Sequence, residues 1–434
     1  MSLGCPKTLV DSELILGKLN PESYALAENV ADCDLALVNT CAFIQDAQQE
    51  SIDQILRLIE LKKMGDIRKL IVLGCLVQRF PRALQRELKE VDAFVGSGEY
   101  DKIPEIVDRV VGGGRFSQIG PPGYLSTSGE ARIPLTPRYY RYLKISEGCD
   151  HTCSFCVIPS FRGQHRSRPL KDVVLEAQHL VGEGARELIL TGQDTTFFGY
   201  DTGGRFLLAE LLKELNQIED LHWIRVLYAY PSLVNDALIE SMGSLEKVCH
   251  YLDMPLQHVS DRVLKSMRRG TTSTSTRALI QKLRKKIPDL AIRTTFIVGY
   301  PGETEKEFKE LLNFMKEAEF ERLGIFTYSP EAGSFAATLP GQVPEKVKRK
   351  RLEAGMLLQQ RISREVNRRL IGREIEVLIE ERDKEPGVWT GRTYMDAPEV
   401  DGCIFVKAEE NLQPGTFVKV RVTDSREYDL VGRL

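Results

Sequence analysis

The 434-residue sequence has no strong charge of either sign: 59 Lys and Arg against 62 Asp and Glu leave a formal net charge of −3. A chain this balanced does not coat nucleic acid by bulk attraction. It also has no apolar run long enough to span a bilayer, so no membrane contact is expected. The opening MSLGCPKTLV lacks a basic segment followed by a long apolar one. A signal peptide is therefore not expected, and the cytoplasm is the expected location. No P-loop and no credible Ser–His–Asp arrangement can be picked out. Internal repeats and low-complexity segments are lacking too. The nine cysteines are an odd number in a large chain, which speaks against a disulfide framework and for metal or redox use.

What is present is an ordinary globular composition, 42% hydrophobic and 28% charged, over a length that suits two or three domains. Residues 1–111 alternate buried-strand runs (34–41, DLALVNTC; 69–75, KLIVLGC) with helical patterns. Over 46–65 the pattern predicts an amphipathic helix with Ile52, Ile55, Leu56 and Ile59 on one face. This predicts an α/β domain with a parallel sheet. Residues 112–137, rich in Gly, Pro, Ser and Thr, read as a linker or an extended arm. Residues 138–365 carry six strand-like runs, at 141–146, 186–192, 223–228, 249–255, 292–299 and 322–329, with helical patterns between them, such as 170–184. Six β/α units predict an incomplete, TIM-like (β/α)6 barrel. A charged helix over 343–370 closes this domain, with Leu352, Met356, Leu357 and Ile362 inward and the run KVKRKR (346–351) on a solvated face. Residues 366–434 change to short strands separated by turns, which predicts a small antiparallel β-barrel.

ISEGCDHTCSFCVIP (145–159) sets Cys149, Cys153 and Cys156 at C-x3-C-x2-C after the first central strand, where α/β barrels keep their chemistry. Three thiolates can hold three irons of a [4Fe–4S] cube and leave the fourth open to bind and reduce a ligand. The competing reading is a zinc site completed by His165; His151, inside the loop, is poorly placed to join the same tetrahedron. Cys5, Cys41 and Cys75 each end an apolar strand-like run that a helix follows. In a parallel sheet such positions share one edge, so these thiols can converge on a second [4Fe–4S] cluster. Gly4 and Gly74 precede two of them and are expected to leave room for a cofactor. The competing reading is three inert, buried thiols. Cys33, Cys249 and Cys403 lack this context and are expected to be structural.

The C-x3-C-x2-C motif with Phe155 before its last cysteine resembles that of the radical S-adenosylmethionine enzymes. The resemblance implies that the open iron chelates S-adenosylmethionine, that one electron releases a 5′-deoxyadenosyl radical, and that Phe155 packs near the adenine, ordinary core packing being the alternative. Two three-cysteine sets followed by a small barrel resemble, over essentially the whole chain, the methylthiotransferases. That family implies an N-terminal domain with the second, sulfur-handling cluster, a central radical domain and a C-terminal TRAM domain. It also implies two uses of S-adenosylmethionine, as methyl donor and as radical source. Stretches 2–13, 143–169, 255–270, 328–340 and 391–402 look like the branch that modifies an aspartate of ribosomal protein S-twelve at its β-carbon, and GCPKT stands where the tRNA-modifying branch typically reads GCQMN. The acidic last domain, with eleven Lys and Arg against fourteen Asp and Glu over 366–434, suits a basic protein better than a phosphate backbone. The expected partners are S-twelve or the small ribosomal subunit, an electron donor and a sulfur source, and a monomer is expected. The family carries several residues before its first SLGC, so either the stated start lies too late or the first strand is short here.

Other strand-end residues extend the candidate site. Gly192, Gln193 and Asp194 end the second central strand, Gln257 and His258 follow the fourth, and Gly299, Pro301 and Gly302 follow the fifth. The last three match a family motif whose backbone approaches the adenosyl group, and Gln193 is expected to reach the cofactor. For His258 a structural imidazole is at least as good a reading as a catalytic one. The two alternatives to the aspartate-modifying enzyme are a tRNA-adenosine methylthiotransferase and a non-catalytic zinc- or RNA-binding protein.

Overall fold

The computed structural model describes residues 1–27, 29–409 and 411–434. Its N-terminal sheet is parallel, with strands Leu35–Thr40, Lys69–Gly74, Ala93–Val95 and Phe116–Gln118 in that spatial order. Helices cover both faces, so a run such as LIVLG is apolar throughout rather than alternating. The last strand lies in the stretch read as a linker or arm. It is too short and too polar to show a period, and it pairs with Ala93–Val95 at the sheet edge. Before the first strand, Ser2 makes a single parallel bridge to Asn39, and the chain then turns into the helix Pro6–Gly17.

The helix predicted over 46–65 runs Gln45–Met64 and stops at Gly65 in the left-handed conformation. Ile55, Leu58 and Ile59 are buried, whereas Leu56, expected on that face, is exposed. Its apolar face is centred one position away from the predicted one.

The central sheet holds six parallel strands in sequential order: Tyr140–Lys144, Glu187–Thr191, Trp223–Val226, Val248–Asp253, Ala291–Val298 and Arg322–Thr327. It stays open between the first and the last, as expected of an incomplete barrel. Alternate residues face opposite sides. Leu143, Leu188, Leu190, Ile224, Val226, Leu252 and Ile292 meet the covering helices in one large core. Tyr142, Ile189, Trp223 and Tyr251 face the inner side.

That inner side also carries charge. Arg225 donates to Glu187 at 2.7 Å, and Glu187 accepts a second guanidinium, Arg392 of the C-terminal domain, at 2.7 Å. Arg322 pairs with Asp396, Arg293 with Asp401 at 3.2 Å, and the Tyr251 hydroxyl donates to Asp401 at 2.7 Å. The stretch GRTYMDAPEVDG therefore reaches into the sheet's concavity, with Arg392, Asp396 and Asp401 each paired there.

The C-terminal domain itself is a closed barrel, ordered Glu374–Arg382, Val388–Thr393, Ile404–Lys407, Leu430–Arg433 and Phe417–Ser425. Its fifth strand, Leu430–Arg433, pairs parallel to Ile404–Lys407 and was not among the strands read from the sequence. The charged helix spans Glu345–Arg368. Leu352, Met356 and Ile362 face inward as expected, but Leu357 is exposed. The KVKRKR run is not wholly solvated either: Lys348 and Arg351 are buried, the first donating to the Tyr328 carbonyl at 2.7 Å and the second pairing with Glu303 at 3.2 Å.

Candidate active site

The cysteine loop of the central domain is closed at its base by a short antiparallel ladder, Ser146–Glu147 against Arg166–Ser167. Above it the Cys149 amide donates to the Gly163 carbonyl at 3.1 Å, and Asp150 accepts the His165 amide at 2.8 Å. Gly148 has φ of +78°, and a Cβ there would run into the Gln164 backbone, so only glycine lets the chain turn into the loop. Burial pushes the thiols of Cys149 and Cys156 up to about 12, Cys156 and Cys153 adding to the first and Cys153 to the second. Arg269 donates to the Cys153 sulfur at 3.4 Å.

His151 does not turn toward a metal position shared with the cysteines. It pairs with Asp194 at 2.6 Å and stacks on Tyr230 with ring centroids 3.6 Å apart. His165 is buried and lies 3.1 Å from the Ser167 hydroxyl. No group of three or more His, Cys, Asp or Glu among the described residues closes tightly enough for a single ion. A cube, which gives each thiolate its own iron, needs no such common centre.

The N-terminal cysteines occupy three strand-to-helix junctions. Cys5 precedes the helix Pro6–Gly17, Cys41 follows Leu35–Thr40, and Cys75 starts the helix Cys75–Arg79. At Gly4, with φ of +96°, a Cβ would lie 2.7 Å from the Cys41 Cβ and 2.9 Å from its sulfur. Glycine thus brings two cysteine-bearing segments together rather than leaving an opening for a cofactor. Gly74 likewise faces the Thr40 backbone. Ser51 accepts the Cys41 amide at 3.1 Å, and Asn39 donates to the Thr8 carbonyl at 3.2 Å, tying the junctions to one another.

The thiols feel one another. Burial raises Cys41, and Cys5 adds to it; burial raises Cys75 to about 12, with Cys41 and Cys5 adding. Burial would raise Cys5 as well, but the Lys7 charge and the Thr8 hydrogen bonds outweigh it, and Cys5 falls below its ordinary value. Three thiols without a carboxylate or imidazole among them form a donor set suited to iron and sulfide.

Arg162 joins the two cysteine sets. It leaves the helix that follows the central loop and donates to the Cys75 sulfur at 3.1 Å and to Asp11 at 2.9 Å. It also pairs with Glu147 at 3.2 Å. Lys144 bridges the same two carboxylates, at 2.6 Å from Glu147. Two cations and two anions are thereby buried together, and Gln193 adds a hydrogen bond to Glu147 at 3.2 Å. A second link runs through Arg79, which donates to the Ala42 carbonyl at 2.7 Å and to Glu331 at 2.8 Å.

Among the other strand-end residues, Asp194 is fixed by the Thr196 amide at 2.9 Å and holds His151. Phe155 is half-buried against a small cluster of Val263, Met267, Tyr300 and Tyr328. Gly299, with φ of +74°, has the place of a Cβ filled by Lys348 and gives its amide to Glu303. Pro301 is buried, and the Gly302 amide donates to the Gly341 carbonyl at 2.8 Å. His258 is wholly buried; its Nδ1 accepts the Ser260 amide at 3.0 Å, and its Nε2 lies 3.5 Å from Glu303 without a hydrogen bond. Ser146, Thr191, Gln193 and Gln257 each keep a buried oxygen without a hydrogen-bond partner at the strand ends, which fits a site built to receive a polar ligand.

Sequence reading missed Arg162, Lys7, Asp11, Glu147, Tyr230 and Arg269. Lys7 and Arg162 lie inside stretches quoted for the family resemblance, but nothing in a single sequence says that Arg162 meets Cys75, 87 positions away.

Three family profiles match: the Radical SAM superfamily over residues 143–315, the TRAM domain over 371–434, and Uncharacterized protein family UPF0004 over 1–96. Full-length relatives include proteins named ribosomal protein uS12 methylthiotransferase RimO. That of Pelotomaculum thermopropionicum is 48% identical, covering 100% of this chain and 98% of its own. That of Geobacter sulfurreducens is 47% identical over 100% and 97%, and that of Clostridioides difficile 44% over 99% and 97%. The solved structure of the radical S-adenosylmethionine methyltransferase TsrM from Kitasatospora setae, with cobalamin and a [4Fe–4S] cluster bound, is similar in fold. Its TM-score is 0.52 at 15% identity, with 85% of this chain and 71% of TsrM covered. Membership of the Radical SAM superfamily implies a [4Fe–4S] cluster and S-adenosylmethionine. By its three matched segments and its full-length relatives, the chain belongs to the ribosomal protein uS12 methylthiotransferases of the radical S-adenosylmethionine superfamily.

Proposed function

We propose that the chain inserts a methylthio group at the β-carbon of an aspartate of ribosomal protein uS12. The observation that carries this reading is the convergence of two three-cysteine sets on one buried charge cluster, Arg162 touching a cysteine of one set while closing the loop that bears the other. Cys149, Cys153 and Cys156 would hold the cluster that binds S-adenosylmethionine. Cys5, Cys41 and Cys75 would hold a second [4Fe–4S] cluster that handles sulfur. Together these groups supply a carbon-centred radical and a sulfur atom to be methylated, chemistry that side chains lack.

The chain's own residues do the positioning. His151, fixed by Asp194 and stacked on Tyr230, stiffens the central loop. The polar strand ends, Gln193 among them, offer free acceptors to the cofactor. Phe155, Gly299, Pro301 and Gly302 would shape its adenosyl side, Gly299 and Gly302 through the turns they allow. Residues 1–118, 138–365 and 366–434 are taken as the three functional units, the first extended beyond 111 by the strand Phe116–Gln118. A monomer acting in the cytoplasm on uS12, free or in the small subunit, with an external electron donor and sulfur source, completes the reading.

The test is anaerobic. The reconstituted chain should hold iron and sulfide for two clusters, and half of each after Cys5, Cys41 and Cys75 are replaced by alanine. It should release 5′-deoxyadenosine faster with uS12 than with tRNA. Zinc without iron, or stimulation by tRNA alone, would refute the reading.

A further inference from the structure

We propose that Lys7 is the counter-ion for the substrate's side-chain carboxylate, a substrate-binding residue seated between the two cysteine sets. The proposal rests on the reading of the substrate as an aspartate.

Lys7 is 9% exposed. The other buried lysines and arginines of the described residues are paired: Lys144, Arg162, Arg168, Arg225, Arg322, Lys348, Arg351 and Arg392 each have a carboxylate within 4 Å. Arg141 gives its guanidinium to carbonyl oxygens. Among the described residues, only Lys7 lacks both. Its ammonium rests on the face of Tyr228, 3.4 Å from the ring centroid. A ring face compensates a buried ammonium only in part. The Cys5 thiol, which the Lys7 charge lowers, gives it a further partial counter-charge but no carboxylate. A buried cation without a hydrogen-bonded carboxylate is costly, and a bound one removes that cost.

The position fits the chemistry. Lys7 lies two residues after Cys5. Tyr228 has φ of +59°, a conformation that bulky side chains rarely adopt. It is held there by its own amide donating to Asp253 at 3.0 Å and by its carbonyl accepting the Thr195 amide at 3.1 Å. Two residues on, Tyr230 stacks on His151 and lies under Arg269, which reaches the Cys153 sulfur. One short loop therefore carries Lys7's support at one end and the central cysteine loop's support at the other. An aspartate whose carboxylate meets Lys7 has its adjacent β-carbon held between the two sets. An adenosine offers no carboxylate, so the same residue would discriminate protein from tRNA.

The experiment measures binding without turnover. Reconstituted holoenzyme, with no reductant, is titrated with uS12 and with uS12 whose modified aspartate is changed to asparagine. The wild type should lose about tenfold or more in affinity on that change, as expected for a charge-assisted hydrogen bond. Lys7→Met should bind aspartate-bearing uS12 more weakly and show no difference between the two proteins. Lys7→Arg should retain the difference, and Lys7→Gln replaces Lys7→Met if that variant does not fold. Equal aspartate-to-asparagine ratios in wild type and Lys7→Met, or a wild-type ratio near one, would overturn the role of Lys7 alone. Absence of any wild-type binding to uS12 would overturn the substrate reading with it.

Discussion

The Nε of Arg162 donates to the sulfur of Cys75 across 3.1 Å, joining the end of the central cysteine loop to the N-terminal cysteine set. The same guanidinium contacts Asp11 and Glu147, and Lys144 contacts both carboxylates, so the four charges neutralise one another out of water. Removing one member leaves an uncompensated buried charge. Arg162→Gln should lower unfolding stability by about 3–5 kcal/mol, read as a shift of the guanidinium midpoint in the apo chain. A shift worth less than about 1 kcal/mol, the scale of a surface pair, would show that the cluster does not tie the domains together.

The C-terminal barrel is held by a similar device. Glu187 lies between Arg225 and Arg392, all three buried, with the two guanidiniums at 2.7 Å. Glu187→Gln leaves two cations facing each other across a neutral amide. The expected outcome is faster hydrogen exchange at 392–401 and over the inner face of the central sheet. Unchanged exchange there would mean that the apolar contacts of Trp389, Met395 and Ala397 suffice.

Much of this architecture was legible in the sequence because it rests on period and punctuation. The six central strands lie within about two residues of their predicted places, since buried parallel strands read as continuous apolar runs. Phe116–Gln118 and Leu430–Arg433 escaped because each is short and neither lies within a longer apolar run. Leu56, Leu357, Lys348 and Arg351 went astray for another reason. Which side of a helix is inward depends on the neighbour it meets, and Glu303 and the Tyr328 carbonyl, the partners of Arg351 and Lys348, are known only from the fold. The candidate site divides the same way. Cysteines at strand ends announce themselves by spacing, whereas Arg162, Asp11 and Lys7 acquire their roles only once distant segments meet.

A pH dependence follows from Glu307. Burial would raise its carboxyl, but the Arg262 guanidinium and the Thr304 amide and hydroxyl outweigh it and hold it at about 2, below its ordinary 4.5. In acid the unfolded chain takes up this proton before the folded one does, so stability rises with pH across that interval. The contribution is complete above pH 4.5 and is lost as pH falls through 2. Glu307→Gln should be less stable than wild type at neutral pH, and the gap should narrow on acidification between those limits. A gap that stays constant with pH would contradict the pairing with Arg262.

The most direct measurement is the mass of uS12, localised by fragmentation, after anaerobic incubation with reconstituted enzyme, S-adenosylmethionine, a reductant and a sulfide source. Replacing C–H by C–SCH3 through radical cofactor chemistry predicts a gain of about 46 Da on a single aspartate. Release of 5′-deoxyadenosine with uS12 unmodified would contradict the assignment of its substrate.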